Sequence, residues 1–404
     1  MKIINLKTKN WEIVKLGDIV TFQRGFDLPK SNFKNGNYPV IGSNGIIGQH
    51  NKFKAKGPGI TIGRSGNLGE PYYIENDYWP HNTTLFSIKF HNSYPRFIYY
   101  LLKRMKLNRF NAGSAVPTLN RNHIHPIKVI APKDIAEQER ISDILSSLDK
   151  KIEINNKINV ILEKIAQLLF KHWFIDFEFP NEQGQPYKSS GGEFIDSELR
   201  KIPKGWKICK LLDCGKIICG KTPPKSNKNY FGGNVPFIKI PDMHNNVFIL
   251  KTVDSLTEKG KKFQENKTIP AKSIIVSCIA TVGLISITSS ESQTNQQINS
   301  LIPFYEPNLY YIYFKLKTLK DYFNTLGSSG SATLNINTKI FSNIKVIMPT
   351  NNILEKFNKI VSPIFNSILL NSRENLKLSQ IRDSLLPKLI TGKIRINLDD
   401  IKES

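Results

Sequence analysis

Gly220-Lys221-Thr222 is the segment of this sequence that comes nearest to a phosphate-cradling loop, and Thr222-Pro223-Pro224-Lys225 is its only paired proline. A phosphate loop needs free backbone N–H groups ahead of the lysine, whereas the run after Gly215 is apolar and strand-like, which argues against a nucleotide site. An amino-methyltransferase would need Asn/Asp-Pro-Pro-aromatic, and no aromatic follows this Pro-Pro. His123 and His125 offer two metal donors without a third nearby, so a strand-edge pair of ordinary histidines is expected. Cys209, Cys214 and Cys219 stand five apart with Cys278 distant, and none forms a close Cys-x-x-Cys pair, so no metal site and only buried or idle thiols are expected. Acid–lysine groupings such as Glu265-Asn266-Lys267 are too common to argue a nuclease. No residue is therefore assigned to catalysis, and the chain reads as non-enzymatic.

Binding chemistry is better represented. Lys and Arg total 57 against 33 Asp and Glu, a formal charge of +24. Such an excess attracts polyanions, and nucleic acid is the expected partner class, which the domain arrangement narrows to double-stranded DNA. Lysines outnumber arginines, which favours phosphate contact, while single arginines and amides supply base contact. In the first half the candidates are Arg24, Lys30, Arg64, Ser65, Asn67, His81, Asn82 and Arg121, set on loops where Gly63, Gly66 and Gly69 let a backbone approach closely. In the second half they are Lys221, Lys225, Thr281, Gln293, Asn295, Gln296 and Gln297, the amide-rich run standing where the first half has His81-Asn82-Thr83-Thr84.

These residues must be positioned twice, because the chain repeats. WEIVKLGDI at 11–19 answers WKICKLLDC at 206–214, and GFDLPK at 25–30 answers GKTPPK at 220–225, both at an offset of 195. YPVI at 38–41 answers VPFI at 235–238, and GITIGRSGNLG at 59–69 answers SIIVSCIATVG at 273–283. Thr118-Leu119-Asn120 matches Thr333-Leu334-Asn335 at 215, and IKVIAP at 127–132 matches IKVIMP at 344–349 at 217. Growing offsets place insertions in the second copy, mostly between residues 240 and 270. A period near 200 residues is a tandem duplication, not a solenoid.

Each copy begins with about 130 residues of short β-type runs split by Gly, Pro and Asn, with one helical stretch, so a mixed α+β domain is predicted. The period then becomes helical. Ile141, Leu148, Asn155, Leu162 and Leu169 form a heptad seam, matched 216 residues later by Phe357, Ile364, Asn371, Leu378 and Leu385. The predicted division is a recognition domain over 1–133, a helical region over 134–178, a connector over 179–202 outside both cores, a second domain over 203–350, a second helical region over 351–391, and a frayed tail over 392–404. Pro363 predicts that the second long helix begins at that residue. The two helices are expected to pair as an antiparallel coiled coil, with Asn155 and Asn371 near one another. Leu145, Ile152 and Ile161 fall off the seam and are candidates for meeting a partner protein. A helix of roughly 30 residues spans about 45 Å, which would set two DNA-reading domains about one duplex turn apart. No run of apolar residues approaches a membrane span, and MKIINLKTKN lacks a signal-peptide core, so the cytoplasm is expected.

The order of these elements resembles the specificity subunit of type I restriction-modification systems: the Trp-x-x-x-x-Leu-x-Asp opening, a Gly-Ser segment leading into Thr-Leu-Asn, an Ile-x-Pro strand end and a long helix, each present twice, with Glu137-Gln138-Glu139-Arg140-Ile141 opening the first long helix. FKHWFIDFEFPN and LPKLITGKI look like the ends of that family's long helices, and the likeness spans roughly residues 10–395. The second copy departs from the pattern, reading NNILEKF where the first has the Glu-Gln-Glu-Arg stretch. The resemblance implies a subunit without catalysis of its own. Its two recognition domains would read a bipartite, asymmetric DNA site. Its helices would hold two adenine-N6 methyltransferase subunits and, with them, restriction subunits. It also implies that S-adenosylmethionine, Mg²⁺ and ATP belong to those partners, with no cofactor in this chain. The competing expectation is a sequence-indifferent architectural DNA-binding protein with no methyltransferase partner, whose affinity falls with salt without discriminating sequences.

Overall fold

The computed structural model describes residues 10–110, 118–328 and 335–396. It resolves into two compact units, one drawn from Met1–Ile152 and Lys377–Ser404, the other from Glu153–Leu376.

In the first unit an antiparallel sheet runs Val20–Arg24, Thr84–Phe90, Gly59–Gly63, Pro71–Ile74, beside a three-stranded sheet in which Trp79–Pro80 lies parallel to Tyr38–Gly42. Gly59–Gly63 is buried along its whole length, as its unbroken apolar and small-residue run requires. The helix Pro95–Met105 starts with proline at its first turn, where no N–H is needed, and packs Phe97, Ile98, Leu101 and Leu102 into the same core as Ile60 and Ile62. A two-stranded ribbon joins Trp11–Lys15 to Lys128–Pro132. From it rises the first long helix, Ile135–Phe170, and the Glu-Gln-Glu-Arg stretch explains how. Trp11 Nε1 donates to Glu137 Oε1 at 2.8 Å; Gln138 donates to the Pro132 carbonyl and accepts from the Tyr94 N–H, both at 2.8 Å.

The helices within this unit run antiparallel. Asp149 accepts from Tyr100 Oη at 2.8 Å and from Arg382 Nη1 at 2.7 Å, while Leu386, Leu389 and Ile390 enter the core that holds Ile141 and Leu145. Leu145 is thus fully covered by its own domain and is unavailable to a partner. The tail is not frayed over its described part. Gly392 turns the chain at φ +65°, and Arg395 lays its guanidinium 4.5 Å from the Trp11 ring centre and 3.6 Å from Glu137.

The second unit repeats the plan with insertions. Its main sheet runs Gly215–Cys219, Ile298–Pro303, Ile274–Ser277, Ile285–Thr288, Phe248–Ile249; its smaller sheet centres on Phe231–Ile238; and its ribbon pairs Lys207–Lys210 with Lys345–Met348. The segment 177–202 departs from expectation, because it is packed rather than a free connector. Phe177 and Phe179 are buried against Trp206, the Phe179 ring stacked at 5.0 Å, and Tyr187 stacks on Phe179 at 4.5 Å. Its Gly, Ser and Pro content reads as a linker, but aromatics spaced between them supply enough apolar area to fix it.

The second long helix runs unbroken from Asn351 to Ile390, through Pro363. That corrects the expectation of a start at the proline. Pro363 and Lys359 are both exposed, so the bond that a prolyl nitrogen cannot make is lost on the solvent side of the helix, where it costs least. The heptad seam also shifts. Ile141, Asn155 and Phe357 are buried, but Leu148, Leu162, Leu169, Ile364, Asn371, Leu378 and Leu385 are only half-buried, while Ala166, Phe170, Val361, Phe365 and Ile368 carry the tightest packing. A strict seven-residue stripe drifts by about 20° per heptad on a straight 3.6-residue helix, so burial passes to neighbouring positions.

Asn155 and Asn371 do not meet each other. Asn155 Nδ2 donates to Glu374 Oε2 at 2.7 Å and Asn375 Oδ1 at 2.9 Å; one turn along, Asn371 Nδ2 donates to Asn159 Oδ1 at 2.9 Å. Antiparallel pairing sends a rising number on one helix to a falling one on the other, so equal positions in the repeat face only at the centre of the pair, and Asn155 and Asn371 stand one turn out of register. Asn155→Ala withdraws a buried donor shared by two acceptors and is expected to cost about 1–3 kcal/mol. Urea titration checks this, and an unchanged midpoint would show that the polar layer adds nothing.

Candidate nucleic-acid interface

In the first unit, loops at one end of the main sheet enclose a groove of 720 Å³ whose walls include Arg24, Asp27, Arg64, Asn120 and Arg121. Three separate elements deliver its arginines. Val20–Arg24 ends at Arg24, and the chain then turns at Gly25, where a Cβ would lie 2.2 Å from the His81 carbonyl oxygen; only glycine fits so close a backbone crossing. Gly59–Gly63 delivers Arg64, whose N–H donates to Thr83 O at 2.8 Å and whose carbonyl accepts from Leu119 N at 2.8 Å. Asn120 caps the short helix Arg121–Ile124, accepting from Asn122 N at 2.9 Å.

That helix corrects the reading of His123 and His125 as strand-edge residues. His125 Nε2 accepts from Phe22 N at 3.1 Å, tying the Arg121 helix to the Arg24 strand. Burial, and then the nearby Arg121 charge, push this imidazole below its ordinary range and keep the accepting nitrogen unprotonated. Among the described residues no cluster of three metal donors occurs.

Asp27 organises the groove mouth. It pairs with Arg24 at 3.2 Å and accepts from the Asn82 side-chain amide. His81 is half-buried and used internally, its Nε2 3.2 Å from Leu28 O and its Nδ1 3.0 Å from Thr83 Oγ1, so it positions its neighbours rather than facing outward. Ser65 is half-buried in a bridge to Thr118; Lys30 opens the short 3-10 helix Lys30–Asn32 and Asn67 sits on a bend, both exposed and outside the groove walls. Residues 113–117 of the Gly-Ser-x-x-x-Thr-Leu-Asn motif and residues 329–334 of its second copy lie outside the described residues.

The second unit builds the same frame with other side chains. Gly220 N donates to Ile298 O as Gly25 N does to Thr84 O; Cys278 N donates to Gln297 O as Arg64 N does to Thr83 O; Ile336 N donates to Cys278 O as Leu119 N does to Arg64 O. These bonds place Cys219 at the Arg24 position, Cys278 at that of Arg64 and Thr338 at that of Arg121. They also correct the sequence match by two residues, since Thr118-Leu119-Asn120 answers Asn335-Ile336-Asn337 and not Thr333-Leu334-Asn335. The asparagine caps settle it: Asn337 accepts from Ile340 N at 2.9 Å.

Gln293 is fully buried and leaves the set of contact residues. Its amide nitrogen donates to Lys261 O, Gln264 O and Thr268 Oγ1, and its oxygen accepts from Gln264, so it anchors the inserted helix Glu258–Phe263. Asn295 is also buried and holds Gln297. Gln296, Thr281, Lys221 and Lys225 are exposed, and Gln297 is half-exposed. Gly215–Cys219 is a full strand paired with Ile298–Pro303, and Thr222 Oγ1 donates to Gln296 Oε1, so this segment forms no phosphate loop. Missed in the sequence is Phe263, 48% exposed, its ring tilted against Tyr230 at 5.0 Å with Lys221 Nζ 5.9 Å from its ring centre. The signal was Glu-Lys-Gly-Lys-Lys-Phe at 258–263, a basic and aromatic insertion with no counterpart in the first copy.

Comparison with known proteins agrees with this arrangement. The family model described as the type I restriction modification DNA specificity domain matches twice, over residues 8–164 and 203–380. The chain is 40% identical to the specificity subunit of the type I restriction enzyme HindI of Haemophilus influenzae, the match covering 74% of this chain and 77% of that one. It is 30% identical to the MjaIX specificity subunit of Methanocaldococcus jannaschii, covering 74% and 69%. Its fold is similar to that of the S subunit of a type I restriction-modification system from M. genitalium, with a TM-score of 0.62, 16% identity and coverage of 96% and 98%. These matches favour a sequence-reading subunit over an indifferent architectural protein. The chain belongs to the type I restriction-modification DNA specificity family, with two specificity domains in tandem.

Proposed function

We propose that each unit reads one half of a bipartite DNA site, and that the chain is a non-catalytic scaffold on which adenine-N6 methyltransferase and restriction subunits assemble. The observation that carries the DNA reading is the groove that converges Arg24, Arg64 and Arg121 from three elements. Arginine forks suit guanine edges and phosphates alike, and the +24 chain draws the duplex in. S-adenosylmethionine, Mg²⁺ and ATP are assigned to the partners, and the complex, as a DNA-binding assembly, is assigned to the cytoplasm. No helix among the described residues is long and apolar enough to cross a membrane.

For the methyltransferase the reading rests on one face of the first long helix. Ile154, Ile158, Ile161, Ile165 and Leu168 recur at spacings of four and three, each 41% exposed or more. An apolar stripe left in water at helical period is the shape of a helix-packing surface. Of the off-seam candidates, Ile161 belongs to this stripe, Ile152 is half-buried and Leu145 is not part of it.

Single-molecule methylation profiling of the host with and without this gene tests the proposal. Loss of one motif carrying N6-methyladenine in two half-sites around a fixed spacer is the expected result. An unchanged methylome in a host expressing the methyltransferase subunit would overturn it.

A further inference from the structure

The two units hold the same pair of loops together with opposite chemistry. In the first, Asp27 and Asn82 side chains bond across the loops, and Asp27 also pairs with Arg24 at 3.2 Å. In the second, the equivalent cross-link joins Thr222 Oγ1 to Gln296 Oε1 at 2.7 Å. The shared backbone frame makes the positions correspond: Arg24 with Cys219, Asp27 with Thr222, Asn82 with Gln296, Arg64 with Cys278 and Arg121 with Thr338. Three arginines and a carboxylate have become two thiols and two hydroxyls.

We propose that these loops set the base class of each half-site: the Arg24–Asp27 pair of the first unit reads a G·C pair, and the Thr222-held Gln296 of the second unit reads an A·T pair. This rests on the proposal that the units bind DNA. A carboxylate at the mouth of the first groove disfavours a role as a plain phosphate cradle, because it repels the anion. It suits a base pair instead. Arg24 offers a donor fork to guanine O6 and N7, while Asp27 accepts from the cytosine N4 amino group. Asp27 also fixes the fork, so less side-chain freedom is lost on binding.

At the second unit no charge stands at those positions. Gln296 is exposed, and the Thr222 hydroxyl occupies one lone pair of its amide oxygen. In this arrangement the amide oxygen faces the hydroxyl and the amide group is held at the loop. It leaves the NH₂ group and the second lone pair free to meet adenine N7 and N6, the two-point contact by which an amide selects A·T. Cys278, where the first unit has Arg64, is buried at 2% exposure, and burial pushes its thiol up to about 11, so it stays uncharged beside the duplex.

The experiment is a binding selection with the full chain on a duplex library carrying a randomised segment, run on the wild type and on Arg24→Cys, Asp27→Thr and Gln296→Ala. Arg24 and Asp27 are exposed, and in each variant the untouched half-site reports that the protein is folded. The expected wild-type result is a bipartite motif. Arg24→Cys and Asp27→Thr relax a G·C position in one half by about ten- to hundredfold and leave the other half unchanged. Gln296→Ala relaxes an A·T position in that other half alone. Retention of every G·C preference by both first-unit variants overturns the assignment, as does loss of a G·C preference in Gln296→Ala; in either case the bipartite motif itself survives. A wild-type library without enrichment instead removes the DNA reading beneath it.

Discussion

Phe170→Ala is expected to lower the stability of the second unit by about 3–5 kcal/mol, because an aromatic ring removed from a rigid core costs its transfer energy and leaves a cavity. Phe170 is 2% exposed and its ring centre lies 5.3 Å from Phe174, 5.7 Å from Tyr311, 5.5 Å from Phe314 and 6.4 Å from Phe357. Those partners come from the helical turn after the first long helix, from the helix Asn308–Thr318 and from the second long helix, so one side chain closes three elements. Unfolding followed by tryptophan fluorescence reports this unit through Trp173 and Trp206, which sit in the same cluster, while Trp11 and Trp79 report the first unit. Phe170→Leu keeps most of the volume and is expected to lose far less. A loss below about 1 kcal/mol in Phe170→Ala would show that the cluster collapses around the gap, and that this ring is not its keystone.

Phe170 also shows why the sequence was only partly legible. The repeat, the mixed sheets and the two long helices follow from periodicity and from ordered matches, because backbone pattern survives when side chains change. The choice of packed face does not. A heptad count selects Leu169, whereas the turn of the helix in contact with its own domain selects Phe170, and one residue is 100° of rotation. Phe177 and Phe179 were hidden in the same way, inside a stretch whose Gly, Pro and Ser composition argues for a linker until the pocket around Trp206 is known.

The candidate interface divides along a similar line. Arg24, Arg64 and Arg121 are legible because each stands beside a glycine, a strand end or a cap, all local signals. Gln293 was misplaced because amide composition does not reveal burial, and its hydrogen bonds go to residues 25 to 32 positions away. The substitution of Cys219, Thr222, Cys278 and Thr338 for the first unit's charged set requires the backbone frame. The motif match alone, two residues out of register at Asn335, misses it.

Replacing Ile158 and Ile165 together by aspartate is expected to abolish capture of the methyltransferase subunit while leaving the chain folded. Ile158 is 41% and Ile165 48% exposed, so charges there remain hydrated in the free protein and cost little stability. Once a partner helix packs on the stripe, the same carboxylates lose water without gaining a counter-charge. A buried unpaired charge costs several kcal/mol per group, and two of them amount to a drop of more than a thousandfold in affinity. Titration of the variant with the partner subunit, beside a thermal melt and a DNA-binding titration of the chain alone, separates the outcomes. Lost capture with an unchanged melting temperature and unchanged DNA binding places the methyltransferase on Ile154–Leu168. Unimpaired capture would move the partner to another surface, while lost capture together with a lower melting temperature would mean that the stripe is covered by the chain's own fold in solution.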